Sequence, residues 1–191
     1  MGATFYRAFD GMLLELNEQK VQLAQLANKY PLTGLLNLRA GLEAFTVSAA
    51  RAKRNNSMLA MLFIDLNKFK LINDVHGHVV GDQTLIDIAT NLQTQLREYD
   101  HAIRVGGDEF IILLNDVTSS EQVLEISDRL VQQLEIKSAL TPFITPTISL
   151  GIAIYPQDGN TFTELKHKAD SAMYQAKEDK LLKICINNKK I

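Results

Sequence analysis

The chain has 191 residues, of which 46% are hydrophobic, so it is large enough for one domain of ordinary size plus an extension. Its formal net charge of −2 excludes a broad electrostatic attraction to nucleic acid or to a membrane surface. The single cysteine, Cys185, excludes an internal disulfide framework, and no apolar run is long enough to span a bilayer. Because the N-terminus lacks a signal-peptide pattern, we expect a cytoplasmic segment, whether or not the parent protein is anchored in a membrane.

The first 29 residues have the pattern of a linker helix. Seven residues recur at alternating spacings of four and three: Phe9, Leu13, Leu16, Lys20, Leu23, Ala27 and Tyr30. This heptad pattern predicts either an amphipathic helix that lies on its own domain or a coiled coil that passes a signal from an upstream sensor domain. Pro31 and Gly34, in "YPLTG", interrupt the helix. We therefore place a linker at 1–29 and the main domain at 30–191.

Helical and strand patterns alternate beyond this boundary. The predicted helices are 37–53, a short one within 66–74, 81–98, 119–135 and 161–179, and the predicted strands are 58–65, 101–105, 110–115, 146–156 and 181–187. Their order contains β-α-β-β-α-β. It predicts an α+β fold with a ferredoxin-like or palm-type core, in which helices flank a mainly antiparallel sheet.

The stretch "RVGGDEF" places two glycines and two acids between the strands of a predicted hairpin. Gly106 and Gly107 allow a tight turn and leave room for a bulky ligand against the backbone. Asp65 ends the preceding apolar strand, where it is either the N-cap of the next helix or a partner of the hairpin acids. If the two strands are neighbours, Asp65 and Asp108 converge. Two carboxylates at one sheet edge suit Mg²⁺, which also keeps water and phosphate ligands.

The segment between these acids carries further polar candidates. Lys70 offers a cation for phosphate, while Asn73 and Asp82 together match the donors and acceptors on the edge of guanine. Taken singly, Asn73 is equally typical of a turn and Asp82 of an exposed helix position. His76 and His78 lack the spacing of a zinc site.

Four stretches together resemble the GGDEF family of diguanylate cyclases: "PLTGLLN", "FIDLNKFKLINDVHGHVVGD", "RVGGDEF" and "ADSAMYQAK", over about 30–180. The resemblance implies that two GTP molecules are joined into cyclic di-GMP with release of two pyrophosphates. Because each domain would hold one GTP, it also implies at least a transient homodimer.

The resemblance also implies roles for individual residues. Asp65 and Asp108 would bind Mg²⁺ or Mn²⁺ with help from the Leu66 carbonyl, and Glu109 would assist with charge or proton transfer. Asn73 and Asp82 would read guanine. The terminal phosphates would meet Lys70 and Lys177.

"REYD" contains an RxxD pattern, Arg97 and Asp100. It predicts either an ordinary ion pair at a helix end or, by the resemblance, an inhibitory site for cyclic di-GMP. Two other functions stay open: a regulatory module that binds GTP or cyclic di-GMP with little turnover, and a protein-interaction domain.

Three positions depart from the family pattern. Tyr30 stands where the family has Asp, Leu38 where it has Arg, and Leu181 where a phosphate-binding Arg is expected. On one continuous helix, position 181 would share a face with Lys177. The alternative is that the helix ends earlier and Leu181 begins a buried strand.

Overall fold

The computed structural model describes residues 28–135, 146–179, 183–186 and 189–190. The predicted heptad helix and Leu181 therefore lie outside the described residues, apart from positions 28 and 29. The helices are α1 (Leu38–Asn55), α2 (Phe69–His76), α3 (His78–Gln95), α4 (Ser120–Leu134) and α5 (Phe162–Glu178). The strands are β1 (Met58–Asn67), β2 (His101–Gly106), β3 (Glu109–Val117), β4 (Thr147–Tyr155), β5 (Ile184–Ile186) and β6 (Lys189–Lys190).

The strands form one sheet in the order β2-β3-β1-β4-β5-β6. β1 lies near the centre and pairs antiparallel with both β3 and β4, while β5 runs parallel to β4. The β-α-β-β-α-β order and the mainly antiparallel sheet confirm the predicted fold. β6, which pairs with β5, has no counterpart among the predicted strands.

Helices cover both faces of the sheet, and the strand period of two decides which side chain meets which helix. On β1, Leu62, Ile64 and Leu66 pack with the apolar residues of α3 and α4. Leu59, Met61 and Phe63 point the other way and pack with α1 and α5. Both faces of β1 are buried, which explains its nearly unbroken apolar sequence.

α5 approaches the sheet closely at Gly151 of β4. A Cβ atom on Gly151 would lie 2.0 Å from the Ala169 carbonyl oxygen and 2.2 Å from the Met173 backbone nitrogen. Only glycine allows this contact between helix and strand backbones. The helix begins with a capping box in which Thr161 and Glu164 bond each other's backbone N–H groups. These two constraints fix both the distance of α5 from the sheet and its starting point.

Most predicted boundaries differ from the observed ones by one to three residues, and the ends of β1 and α5 bear on the site. β1 continues through Asn67, and Lys68 stands at the N-cap of α2, so Asp65 is not a helix cap. α5 ends at Glu178, and Asp179 is extended with ψ 103°. The described helix thus ends one residue after Lys177, and Leu181 lies outside the described residues, so both interpretations of position 181 stay predictions. Among the described helices, none contains a stretch long and apolar enough to cross a membrane.

We predict that Gly151→Ala destabilises the domain by about 1–3 kcal/mol, the usual cost of overpacking, because its Cβ would meet backbone atoms of α5. Urea unfolding followed by circular dichroism measures the change. Gly106→Ala is the matched control, since a Cβ there meets nothing within 4 Å. Equal stabilities of the parent and Gly151→Ala would contradict the close approach.

Candidate active site

The register of β1 and β3 brings the acids together. Asp65 lies directly opposite Glu109, so both side chains project from the face that α5 covers. The hairpin tip follows at once: Gly107 takes a positive φ of 54°, and the Asp108 carbonyl accepts a hydrogen bond from the Leu66 N–H at 3.3 Å. The predicted convergence of Asp65 and Asp108 is therefore present at one end of the sheet.

Burial and mutual repulsion make the ionised forms of Asp108 and Glu109 less favourable. Burial, and next the charge of Asp65, raise the pKa of Asp108 above its ordinary value. Burial also raises the pKa of Glu109, with further contributions from Asp170 and Asp65. A neighbouring positive charge would relieve both effects, so the cluster favours a bound cation.

The donor set fits a hard divalent ion of the magnesium type. Within the described part of the chain, no three or more His, Cys, Asp or Glu side chains form a metal-binding group. Two carboxylates and a nearby backbone segment at Leu66 would leave most ligand positions to water and phosphate. Mg²⁺ accepts that arrangement, whereas a structural zinc site requires more protein ligands.

Lys177, in the last turn of α5, supplies a cation to this cluster. Its Nζ lies 2.5 Å from Asp65 Oδ1. The Asp65 side chain is 10% exposed and that of Lys177 is 41% exposed. Lys70, by contrast, is exposed on α2. The two predicted phosphate-binding lysines therefore differ, because one is already engaged with a site carboxylate.

Arg104 supports the hairpin tip from the opposite face of the sheet. Its Nε and Nη2 both donate to the Gly107 carbonyl, at 3.2 and 2.7 Å, and its guanidinium lies 4.4 Å from the centre of the Tyr30 ring. The residue is only 5% exposed, and Nη1 has no hydrogen-bond partner in the described structure. The fork onto Gly107 orients the turn that carries Asp108.

The sequence prediction missed Arg104. The available signal was a charged residue inside the apolar strand "AIRV". Tyr30, one of the departures from the family pattern, stacks on this arginine in a cation–π contact. Lys166 and Asp170 of α5 were missed as well, and their charges act on Glu109.

Asn73 and Asp82 lie near one another on neighbouring helices. A Cβ on Gly81 would fall 1.9 Å from Asn73 Oδ1, so the amide of Asn73 packs against the residue that precedes Asp82. Asn73 lies within α2, so its interpretation as a turn residue is wrong. Asp82 is exposed on α3, which agrees with its alternative interpretation as an exposed helix residue. The guanine-reading role of the pair stays a prediction.

Arg97 and Asp100 line a separate cleft of about 250 Å³, together with Lys29, Gln93 and His101. Both residues follow the end of α3 at Gln95, and the described structure has no ion pair between the Arg97 guanidinium and Asp100, so the interpretation of RxxD as an ordinary ion pair at a helix end is wrong. The Asp100 carboxylate instead accepts the backbone N–H groups of Arg97 and Asn115, at 3.2 and 2.9 Å. The Arg97 guanidinium donates to the Tyr99 hydroxyl. Asp100 thus fixes the loop to β3 while Arg97 stands exposed at the cleft.

Comparison with known proteins shows the family of this chain. The family model described as "Diguanylate cyclase, GGDEF domain" matches residues 27–181. The chain belongs to the GGDEF family. Diguanylate cyclase TpbB of Pseudomonas aeruginosa is 39% identical over 165 residues, which are 85% of this chain. These residues span 38% of TpbB, so the chain corresponds to well under half of that relative's length.

Solved GGDEF structures share the fold. The GGDEF domain of TpbB superposes with a TM-score of 0.75 at 35% identity, covering 80% of this chain and 96% of that one. The coiled coil and GGDEF domain of DgcB from Caulobacter crescentus, in complex with c-di-GMP, gives a TM-score of 0.81 at 22% identity, covering 93% of this chain and 94% of that one. At that identity, the second likeness supports the fold alone.

We predict that Asp108→Asn stabilises the metal-free domain at neutral pH, with a melting temperature raised on the order of 2 °C. The pKa of Asp108 is raised in the folded state, so its ionisation costs stability as pH rises through that pKa, and costs nothing below the unfolded value. In melts with a chelator, the gain should therefore be full at about pH 7.5 and should shrink as the pH falls toward about 4, close to the unfolded pKa of Asp.

Asp74→Asn is the control for this experiment, because Asp74 is an exposed carboxylate on α2. Its melting temperature should follow that of the parent at both pH values. An Asp108→Asn variant less stable than the parent at neutral pH would contradict a destabilising ionised carboxylate at the hairpin tip.

Proposed function

We propose that this domain is a diguanylate cyclase that condenses two GTP molecules into cyclic di-GMP and two pyrophosphates, with Mg²⁺ or Mn²⁺ as cofactor. The observation that carries the proposal is the cluster of Asp65, Asp108 and Glu109 at one sheet end, with Lys177 against it. A nucleotide-binding module without turnover has no need to keep one buried and two half-buried carboxylates in mutual repulsion. Because the proposed substrate is GTP, we place the domain in the cytoplasm.

In the proposed reaction, the 3′-hydroxyl of each GTP attacks the α-phosphorus of the other. A new O–P bond forms, the bond to the β-phosphate oxygen breaks, and pyrophosphate leaves, twice per product. When bound to Asp65, Asp108 and the Leu66 carbonyl, the metal supplies Lewis-acid stabilisation of the phosphate charge and acidifies the hydroxyl. Glu109, whose pKa is raised above its ordinary value by burial, is suited to accept the proton of the attacking hydroxyl.

Recognition of GTP is divided between the two faces of the sheet. Asn73 and Asp82 would bind the guanine edge on the side of α2 and α3, while Lys177 would reach the terminal phosphates from α5. The open backbone at Gly106 and Gly107, where a Cβ would meet nothing within 4 Å, leaves room for the nucleotide. Lys70 adds an exposed cation on α2.

Each domain would hold one GTP, so two domains must face each other during turnover. We therefore propose at least a transient homodimer. The segment before residue 28 would connect the domain to an upstream sensor that controls how often two copies meet.

We predict that the chain converts GTP and Mg²⁺ into cyclic di-GMP and that Asp108→Asn lowers the rate by about 10²-fold or more, because it removes a charge needed by the metal. Chromatography of the products measures the conversion, and Asp74→Asn should match the parent. GTP binding without cyclic di-GMP in the parent would instead identify a regulatory module. Undiminished turnover in Asp108→Asn would show that the metal site is misassigned.

We propose that the cleft at Arg97 binds cyclic di-GMP as a feedback inhibitor. Arg97→Ala should weaken cyclic di-GMP binding about tenfold or more, the loss expected for a charge-assisted contact, and should leave initial turnover intact. Arg97 gives a cleaner test than Asp100, since Asp100 also holds the backbone of Asn115.

Calorimetric titration of cyclic di-GMP measures this effect, and Arg54→Ala on α1 is the control, because it removes an exposed arginine elsewhere. If Arg97→Ala binds cyclic di-GMP as tightly as the parent, the cleft is not the inhibitory site.

A further inference from the structure

Lys177 occupies the position of a counter-ion to the acid cluster. Its ammonium contacts Asp65 at 2.5 Å and also lowers the pKa of Asp108, which burial and Asp65 raise. Lys177 therefore acts on both carboxylates assigned to the metal, whereas Arg104 adds an effect on Asp108. Its side chain is 41% exposed, so water screens the contact in part and the ammonium is free to leave.

The position of Lys177 is set by the packing of α5. Ala169 and Met173 hold the helix against Gly151, and Lys177 follows one turn later on the same face. The last turn of a helix favours a cation, and this turn ends beside Asp65. The contact is therefore built into the way the helix docks on the sheet, rather than being a chance meeting of surface side chains.

A divalent metal and Lys177 cannot both neutralise Asp65 at full strength. Placing a metal on Asp65 and Asp108 sets two like charges close together, and that repulsion is relieved only if the ammonium moves away. A triphosphate gives the displaced ammonium a new anionic partner. Metal and triphosphate should therefore favour each other's binding through one lysine.

We propose that Lys177 is an exchangeable counter-ion that competes with the metal for Asp65 in the free domain and transfers to the triphosphate when nucleotide binds. The proposal rests on the proposed function, because it takes Asp65 and Asp108 as the metal ligands. It goes further in making Lys177 the link between the two ligands. By thermodynamic linkage, if the metal increases the affinity for triphosphate, the triphosphate increases the affinity for the metal by the same factor.

A lysine that only contacts phosphate would behave differently. Its loss would weaken nucleotide binding and leave the affinity for metal alone unchanged. An exchangeable counter-ion predicts effects of opposite sign: its loss strengthens the binding of metal alone and weakens that of nucleotide. Binding of metal in the absence of nucleotide is therefore the decisive measurement.

The experiment measures Mn²⁺ binding by electron paramagnetic resonance, with and without a hydrolysis-resistant GTP analogue. In Lys177→Met, we expect Mn²⁺ alone to bind about tenfold tighter than in the parent, and the analogue alone to bind more weakly. The factor by which the analogue strengthens Mn²⁺ binding should fall. Lys177→Arg keeps the charge and should stay close to the parent.

Lys166→Met is the matched control. Lys166 lies on the same helix, with its Nζ 5.3 Å from the centre of the Phe63 ring, and its charge acts on Glu109. The substitution Lys166→Met removes one positive charge near the acid cluster and leaves the contact between Lys177 and Asp65 in place. A gain in Mn²⁺ affinity that is equal in Lys166→Met and Lys177→Met would assign the effect to the general field and overturn the proposal.

Other outcomes separate this proposal from the proposed function. If Asp108→Asn leaves Mn²⁺ binding unchanged, the metal site itself is wrong, and both proposals fail. If Asp108→Asn weakens Mn²⁺ binding while Lys177→Met leaves the affinity for Mn²⁺ alone unchanged or lower, the metal site stands and the exchange role of Lys177 is overturned. Melting curves of each variant establish that it is folded.

Discussion

The antiparallel register that places Asp65 opposite Glu109 is the constraint on which the rest of the site depends. A slip of one residue would turn Asp65 toward the face where Leu85 and Ile88 pack, and would bury an unpaired carboxylate in the apolar core. The apolar residues of β1 prevent that slip, because each of its faces has its own layer of helices. Core packing therefore determines where the acids lie, although it involves none of them.

The sheet also divides the site into two halves. Arg104 follows Ile103 on β2 and therefore projects from the opposite face of the sheet, toward α3. On that side, the charge of Asp82 acts on it. Asp65 and Glu109 project toward α5. Asp108, at the hairpin tip, is influenced by Arg104 as well as by Asp65 and Lys177. The hairpin tip therefore lies between the face proposed to bind guanine and the face proposed to bind the phosphates.

The sequence predicted what local pattern controls and missed what depends on tertiary contacts. Apolar runs and a glycine pair define the hairpin, and the convergence of Asp65 with Asp108 follows from placing two strands side by side. Helix ends are less predictable: the sequence pattern predicts α3 over 81–98, whereas the helix spans His78–Gln95. The charge inside "AIRV" was a signal at Arg104, but its contact with Tyr30 could not be predicted, because Tyr30 lies far away in the sequence. Outside the described residues, the heptad helix stays a prediction.

The hairpin connects the acid cluster with the rest of the domain. At its far end, Asp100 bonds the backbone of Asn115 on β3, beside the cleft that Arg97 lines. At its near end, Arg104 holds the Gly107 carbonyl. The turn that precedes α1 joins the same unit, since Leu36 forms a bridge with Ile103 while Tyr30 stacks on Arg104. Tyr30, although it departs from the family pattern, thus packs its aromatic ring against the guanidinium that supports the hairpin tip. The turn before α1 therefore helps to hold the hairpin tip through two contacts with β2, the Leu36–Ile103 bridge and the Tyr30–Arg104 stack.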